Sequence, residues 1–151
     1  MSFEESASDP IKRQKSPRQR ILVVDDAGSM RQLKVDSLLD SGYDVEEAKD
    51  GADGWEALQH RHFDLVITDN KMPRMTGIEM IEKMRTESVR VPVMMTTGFM
   101  PVFELARKPW LKPDAVLATP FSTDEFLSVV KSILGHGDDL TRAMPLPKEP
   151  Q

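Results

Sequence analysis

A chain of 151 residues, 39% hydrophobic and 30% charged, suits one ordinary globular domain with a two-faced core. It has no Cys, which excludes disulfide staples, thiolate metal sites and a thiol nucleophile, and fits a reducing compartment. A formal net charge of −5 argues against nucleic acid as the main partner of the folded part, and no run approaches the roughly twenty apolar residues of a membrane span, so a soluble cytoplasmic protein with no membrane association is expected.

Residues 1–19 read as a disordered basic leader, because Ser, Pro, Gln and charges dominate and apolar periodicity is missing. Lys12, Arg13, Lys15 and Arg18, with Arg20 just beyond, outnumber Glu4, Glu5 and Asp9, and no function is assigned to the stretch. Ile21-Leu22-Val23-Val24 predicts a strand that ends abruptly in Asp25-Asp26. Ala27-Gly28-Ser29 predicts a loop and helix N-cap, after which Met30, Leu33, Val35, Leu38 and Leu39 fall roughly at helical spacing until Gly42 stops the helix. Tyr43 to Ala48 reads as a second strand, and Gly51 to His60 as a helix carrying Ala52, Trp55, Ala57 and Leu58.

Leu65-Val66-Ile67 is continuous rather than alternating, which suits a strand covered on both faces, and it terminates at Asp69. A carboxylate beyond the end of such a strand faces a ligand site in open α/β sheets. It is equally a common turn or capping residue. Met72 to Gly77 predicts a loop, followed by a helix with Ile78, Ile81 and Met84 at i, i+3 and i+6. Val91 to Met95 is a fourth buried run, with Pro92 near its start, ending in Thr96-Thr97-Gly98. Pro109 and Pro113 end any helix begun near Pro101, so the fourth helix is short, about Val102 to Lys108. Ala115 to Ala118 is the fifth run. Ser122 or Thr123 caps a last helix with Phe126, Val129, Val130 and Ile133 on its apolar stripe, and Gly135 ends it. Residues 136–151, with three Pro and no pattern, read as a disordered tail, leaving 20–135 as the folded domain.

Five strand-helix units imply an α/β doubly wound parallel sheet with right-handed crossovers. The carboxyl ends of its strands share one edge, so Asp25, Asp26, Asp69 and Thr97 converge from distant positions. Three carboxylates held together without cations repel, and a divalent ion resolves the conflict. All-oxygen, carboxylate-rich coordination with open positions suits Mg²⁺.

Val23-Val24-Asp25-Asp26 with Arg31 after the loop, Asp69 followed by Met72-Pro73 and Gly77, and the strand-end Thr97-Gly98 together resemble the receiver domain of two-component response regulators over about residues 20–135. The resemblance implies a flavodoxin-like fold of five strands and five helices. It implies Asp69 as phosphoacceptor, and Asp25, Asp26, Asp69 and the backbone carbonyl of Lys71 as Mg²⁺ ligands. Thr97 is then the switch that bonds the phosphoryl group, and Gly98 leaves room for the phosphodonor. A histidine kinase or histidine phosphotransfer protein is the implied donor, within a two-component or phosphorelay pathway. Output passes to an unknown downstream protein, with no direct DNA binding by the folded domain and no activity beyond self-catalysed phosphotransfer and autodephosphorylation; the tails are too short and patternless for an output module.

One departure is plain. The family places Lys directly before the Pro-Phe pair at the end of strand five, where it pairs with the phosphoryl group, and here that residue is Thr119, followed by Pro120-Phe121. A neutral, shorter hydroxyl supplies neither that charge nor that reach. The aromatic residue often found three positions earlier is replaced by Val116. Lys71, at a position usually non-basic, is a candidate compensating cation; the alternative is a solvated loop Lys using only its carbonyl. A receiver-fold binding module working with weak or no phosphorylation is a second reading. A Mg²⁺-dependent phosphohydrolase with an aspartate nucleophile is a third, disfavoured because Lys71, and not an acid, stands two residues after Asp69. His60 and His62 lack a third ligand nearby, Met30, Met84, Met94 and Met95 read as core packing, and Trp110 as loop packing or a partner contact.

Overall fold

Strongly apolar runs supply the centre of a single sheet in the computed structural model, which describes residues 18 to 135. The strands are β1 (Arg20–Val24), β2 (Asp44–Ala48), β3 (Leu65–Thr68), β4 (Val93–Thr97) and β5 (Ala115–Ala118). All pair in parallel, in the order β2-β1-β3-β4-β5. Five helices connect and follow them: α1 (Gly28–Asp40), α2 (Gly51–His60), α3 (Gly77–Thr86), α4 (Val102–Arg107) and α5 (Thr123–Leu134). This is the expected doubly wound, flavodoxin-like architecture. The fourth helix is short, as Pro109 requires, and that proline opens a 3-10 turn, Pro109–Leu111, that buries Leu111. The expected leader and tail lie outside the described residues, save for Arg18 and Gln19.

The pleat sorts each central strand between two cores. Leu22, Val24, Val66, Val93 and Met95 face the layer of α2, α3 and α4, where they meet Ala57, Leu58, Ile78, Met80 and Leu111. Ile21, Val23, Leu65, Ile67 and Met94 face α1 and α5, against Val35, Leu38, Phe126 and Val130. Each such branched side chain, taken wholly from water, contributes about 1.5–3 kcal/mol, so β1, β3 and β4 anchor the sheet. The same alternation continues past the apolar residues. Asp25 follows Val23 by two and Thr96 follows Met94 by two, so both turn toward α1.

Helix ends are set locally. Thr76 and Ser122 each close a capping box, with Glu79 and Glu125 respectively. Gly42 adopts φ +94° where the chain leaves α1, a conformation that favours glycine. At the start of α1 the N-cap falls within the expected Ala27-Gly28-Ser29 stretch, at Ala27 and without a side-chain bond, while Gly28 and Ser29 lie inside the helix and not in a loop. The inward face of α1 also differs from the expected stripe, because Leu33 and Leu39 are 47% and 49% exposed while Lys34, Val35 and Leu38 are buried. Tyr43 precedes β2 rather than opening it, yet is buried. Among the expected core methionines Met84, Met94 and Met95 are buried, and Met30 only partly so. No helix among the described residues is long and apolar enough to cross a membrane.

Candidate functional site

Register brings two of the acids together. Val24 pairs with Thr68 across β1 and β3, so the residues that follow, Asp25 and Asp69, leave the sheet side by side. This is where the strand order reverses, and crevices at that point are where such sheets bind ligands. The ladder extends one step further on each side: Asp69 N–H donates to the Val24 carbonyl (3.2 Å) and Asp25 N–H to that of Ala48 (3.1 Å). Carboxylate oxygens of Asp25, Asp26 and Asp69 lie within 4.8 Å of one another. Asp25 is buried, Asp69 half-buried and Asp26 exposed.

The loop after Asp69 is held by α3. Asn70 N–H donates to Asp69 Oδ1 (2.6 Å), and Asn70 Oδ1 accepts from Ile78 N–H (2.9 Å) in the first turn of α3. Gly77 N–H donates to the Asn70 carbonyl (2.9 Å). Only a residue without Cβ fits there, since a Cβ on Gly77 would run into the Asp69 carbonyl oxygen.

Asp25 is pinned more firmly than either neighbour. Oδ1 accepts from Ala27 N–H (3.0 Å), and its carbonyl accepts from Arg31 Nη1 (2.7 Å), which Glu47 steadies from β2 by accepting from Nε (2.9 Å). Oδ2 accepts from the ammonium of Lys34 (2.7 Å), which also donates to Thr96 Oγ1 (2.6 Å). The acid cluster thus contains a cation, contrary to the expectation of carboxylates opposed only by one another. Lys34 is 1% exposed, and it was not among the expected site residues. A signal existed: at 100° per residue, Arg31, Lys34, Val35 and Leu38 span an arc of about 100°, whereas Leu33 and Leu39 fall outside it.

Thr97 is buried at the end of β4, where its hydroxyl accepts from Phe99 N–H and donates to the Phe99 carbonyl, both at 3.1 Å. Thr119 N–H donates to the Thr97 carbonyl (3.2 Å), which confirms its place at the end of β5. A Cβ on Gly98 would come 3.0 Å from Thr119 Oγ1, a nearer reason for glycine there than room for a donor. Lys71 is exposed, and its ammonium stands over the Phe99 ring, 5.7 Å from the centroid. Phe99, Phe103 and Trp110 are 74%, 81% and 59% exposed, so Trp110 is not loop packing.

Among the described residues, Asp25, Asp26 and Asp69 are the one group of three or more His, Asp or Glu able to hold a metal ion. Their donor set is all oxygen, with Asp26 open to solvent, and it fits a hard divalent cation such as Mg²⁺. His60 and His62 form no part of it: His60 Nδ1 is bonded to the Glu56 carbonyl and His62 faces Asp64. A groove of about 700 Å³ between β2 and α2, lined by charged residues such as Glu46, Glu47 and Arg61, lies beside the acids and contains none of them.

Comparison with known proteins gives a consistent picture. The chain is 34% identical over 119 residues to the alkaline phosphatase synthesis transcriptional regulatory protein PhoP of Bacillus subtilis, covering 79% of this chain and 50% of that one. It is 32% identical over 130 residues to the probable transcriptional regulator ycf27 of Porphyridium aerugineum, covering 86% and 54%. The chain therefore spans about half the length of the curated relatives it matches. Among solved structures, chemotaxis protein CheY4 of Vibrio cholerae superposes with TM-score 0.71 and 31% identity, covering 78% of this chain and all of that one. The response regulator TrrA of Thermotoga maritima, solved in complex with Mg²⁺-BeF, superposes with TM-score 0.68 and 28% identity, covering 77% and 99%. The family model described as response regulator receiver domain matches residues 21–131. Strand-end acids, sheet order and these matches agree, and the chain belongs to the receiver domain family of two-component response regulators.

Proposed function

We propose that this receiver accepts a phosphoryl group on Asp69 from a histidine kinase or histidine phosphotransfer protein in the cytoplasm, with Mg²⁺ held by Asp25, Asp26, Asp69 and the Lys71 carbonyl, and signals through protein contacts. The observation that carries this reading is the cluster itself: three carboxylates at the ends of two paired strands, with Asp69 half-buried.

In the transfer, an Asp69 oxygen attacks the phosphorus of a phosphohistidine in line. The P–O bond forms as the P–N bond breaks, and the imidazole nitrogen keeps the electron pair and takes up a proton. Asp25, Asp26, Asp69 and the Lys71 carbonyl would hold Mg²⁺, which would supply positive charge to offset that of the phosphoryl group. Asp69 Oδ1 is held by Asn70 N–H, so Oδ2 is the freer oxygen to attack. Thr97 then turns its hydroxyl toward a phosphoryl oxygen, giving up its bonds to Phe99. Because Lys71 also leans on Phe99, changes in both loops converge on one exposed aromatic ring. Phe99, Phe103 and Trp110 are exposed apolar residues on the segment that follows Thr97, suited to a protein partner. The Lys71 ammonium is a candidate contact to the phosphoryl group; equal rates for Lys71→Ala and wild type would sink that role.

The test is treatment with a small acyl phosphate donor and Mg²⁺, read by intact mass, with Asp69→Ala as control. One phosphoryl increment, lost in Asp69→Ala, supports the reading. No label with any donor favours a receiver-fold binding module, the second reading that Thr119 and Val116 recommend, and multiple turnover of phosphate esters favours a hydrolase.

A further inference from the structure

We propose that Lys34 is a positioning residue for Asp69 chemistry: its buried ammonium, delivered from α1, supplies a fixed positive charge to the site where Thr119 is neutral, and fixes Asp25 within the acid cluster. The inference rests on the phosphoacceptor reading above and deepens it.

Burying an ammonium is costly unless it is paired and hydrogen-bonded. Lys34 meets both conditions, through Asp25 Oδ2 at 2.7 Å and Thr96 Oγ1 at 2.6 Å, with side chains of Lys34 and Asp25 only 1% and 2% exposed. Stability alone does not call for such a pair, because well-packed apolar residues in its place are commonly as stable or more so. Its location offers a better reason. Asp25 follows the last residue of β1 and Thr96 is the next-to-last residue of β4, both turned to the α1 side of the sheet, and Lys34 bridges them from α1. One ammonium N–H has no acceptor among the described residues. Three carboxylates, one ammonium and one divalent cation together carry no net charge, so the cluster is balanced for Mg²⁺ without any cation from β5. The ammonium and the metal ion share Asp25, so they repel, and Lys34 also limits how tightly the metal is held.

The test uses the full chain and the variants Lys34→Met and Lys34→Met/Thr119→Lys, each checked for folding by near-UV circular dichroism. Phosphorylation by a small acyl phosphate with Mg²⁺ is followed by intact mass, and Mg²⁺ affinity by calorimetry. Lys34→Met is expected to slow labelling at least about tenfold and to bind Mg²⁺ at least about threefold more tightly. The second cation, entering from β5, is expected to recover most of the rate, which a merely structural role would not allow. A wild-type rate in Lys34→Met, a loss that Thr119→Lys does not repair, or an unchanged or weaker Mg²⁺ affinity overturns the proposal. If the wild-type chain takes no label from any donor, the phosphoacceptor reading fails separately, and Mg²⁺ affinity alone decides on Lys34. Should Lys34→Met not fold, Thr96→Val is the milder probe: it removes one acceptor and leaves the ion pair, so a rate at least about threefold lower supports the role, and a wild-type rate overturns it.

Discussion

Replacing Gly77 by Ala places a methyl group where the loop of the phosphoacceptor now sits. The new Cβ comes well inside van der Waals contact with the Asp69 carbonyl oxygen, and lies 3.1 Å from Asn70 Cα and 3.2 Å from the Asp69 carbonyl carbon. Comfortable carbon contacts begin near 3.5 Å, so the Asp69-Asn70 backbone must retreat by about 1 Å or α3 must tilt away. Either movement strains the bonds from Gly77 N–H to the Asn70 carbonyl and from Ile78 N–H to Asn70 Oδ1, both 2.9 Å. Overpacking of this kind costs about 1–3 kcal/mol, a fall in Tm of roughly 4–12 °C for a domain of this size. A 1 Å misplacement of a reacting group costs on the order of a hundredfold in rate. The assays are thermal unfolding and labelling by a small acyl phosphate, with Gly28→Ala as control, because a Cβ there meets nothing within 4 Å. A Gly77→Ala protein with unchanged Tm and rate would refute the reasoning.

Asp25→Asn leaves the Lys34 charge buried without a counter-ion, so urea unfolding is expected to show a loss of about 3 kcal/mol or more. Asp26→Asn, at an exposed acid, is expected to change stability by less than about 0.5 kcal/mol, and equal effects would contradict the burial argument. Thr76→Ala and Ser122→Ala each remove a capping bond and are expected to cost about 1 kcal/mol in the same assay; no loss would contradict the caps. Burial pushes the Tyr43 phenol above its ordinary value of 10.0, so the folded state keeps the proton that the unfolded chain gives up. That contribution is intact below about pH 10 and lost as pH rises through the folded pKa. A stability series in alkali should be flatter for Tyr43→Phe than for wild type, and parallel curves would contradict this.

Apolar runs closed by acids or by Thr-Gly were enough to place β1, β3 and β4, because strands buried on both faces cannot tolerate polar interruptions, whereas the edge strands β2, with Glu46 and Glu47, and β5 followed from the strand-helix alternation. Pro109 limited α4 for an equally local reason, the missing N–H. Asp25, Asp26, Asp69 and Thr97 were legible as strand-end residues once the strands were known to be parallel. Lys34 was not, because a lysine on a helix is ordinarily solvated. Its burial depends on Thr96, distant in sequence, and on Asp25, which α1 itself does not contain. The two exposed leucines of α1 misled for the same reason, since a helix's apolar residues do not define its inner face when a charged pair occupies that face. The aim of the Thr97 hydroxyl at Phe99, and of Lys71 at the same ring, are likewise contacts between loops with no periodic signature.

Which carboxylate takes the phosphoryl group is open to direct measurement. After treatment with a small acyl phosphate donor and Mg²⁺, borohydride reduction converts an aspartyl phosphate to homoserine, and peptide mapping locates it. The expected result is reduction at position 69 alone, absent without donor. Reduction at Asp25 or Asp26 in its place, or at no position, would contradict the assignment of Asp69.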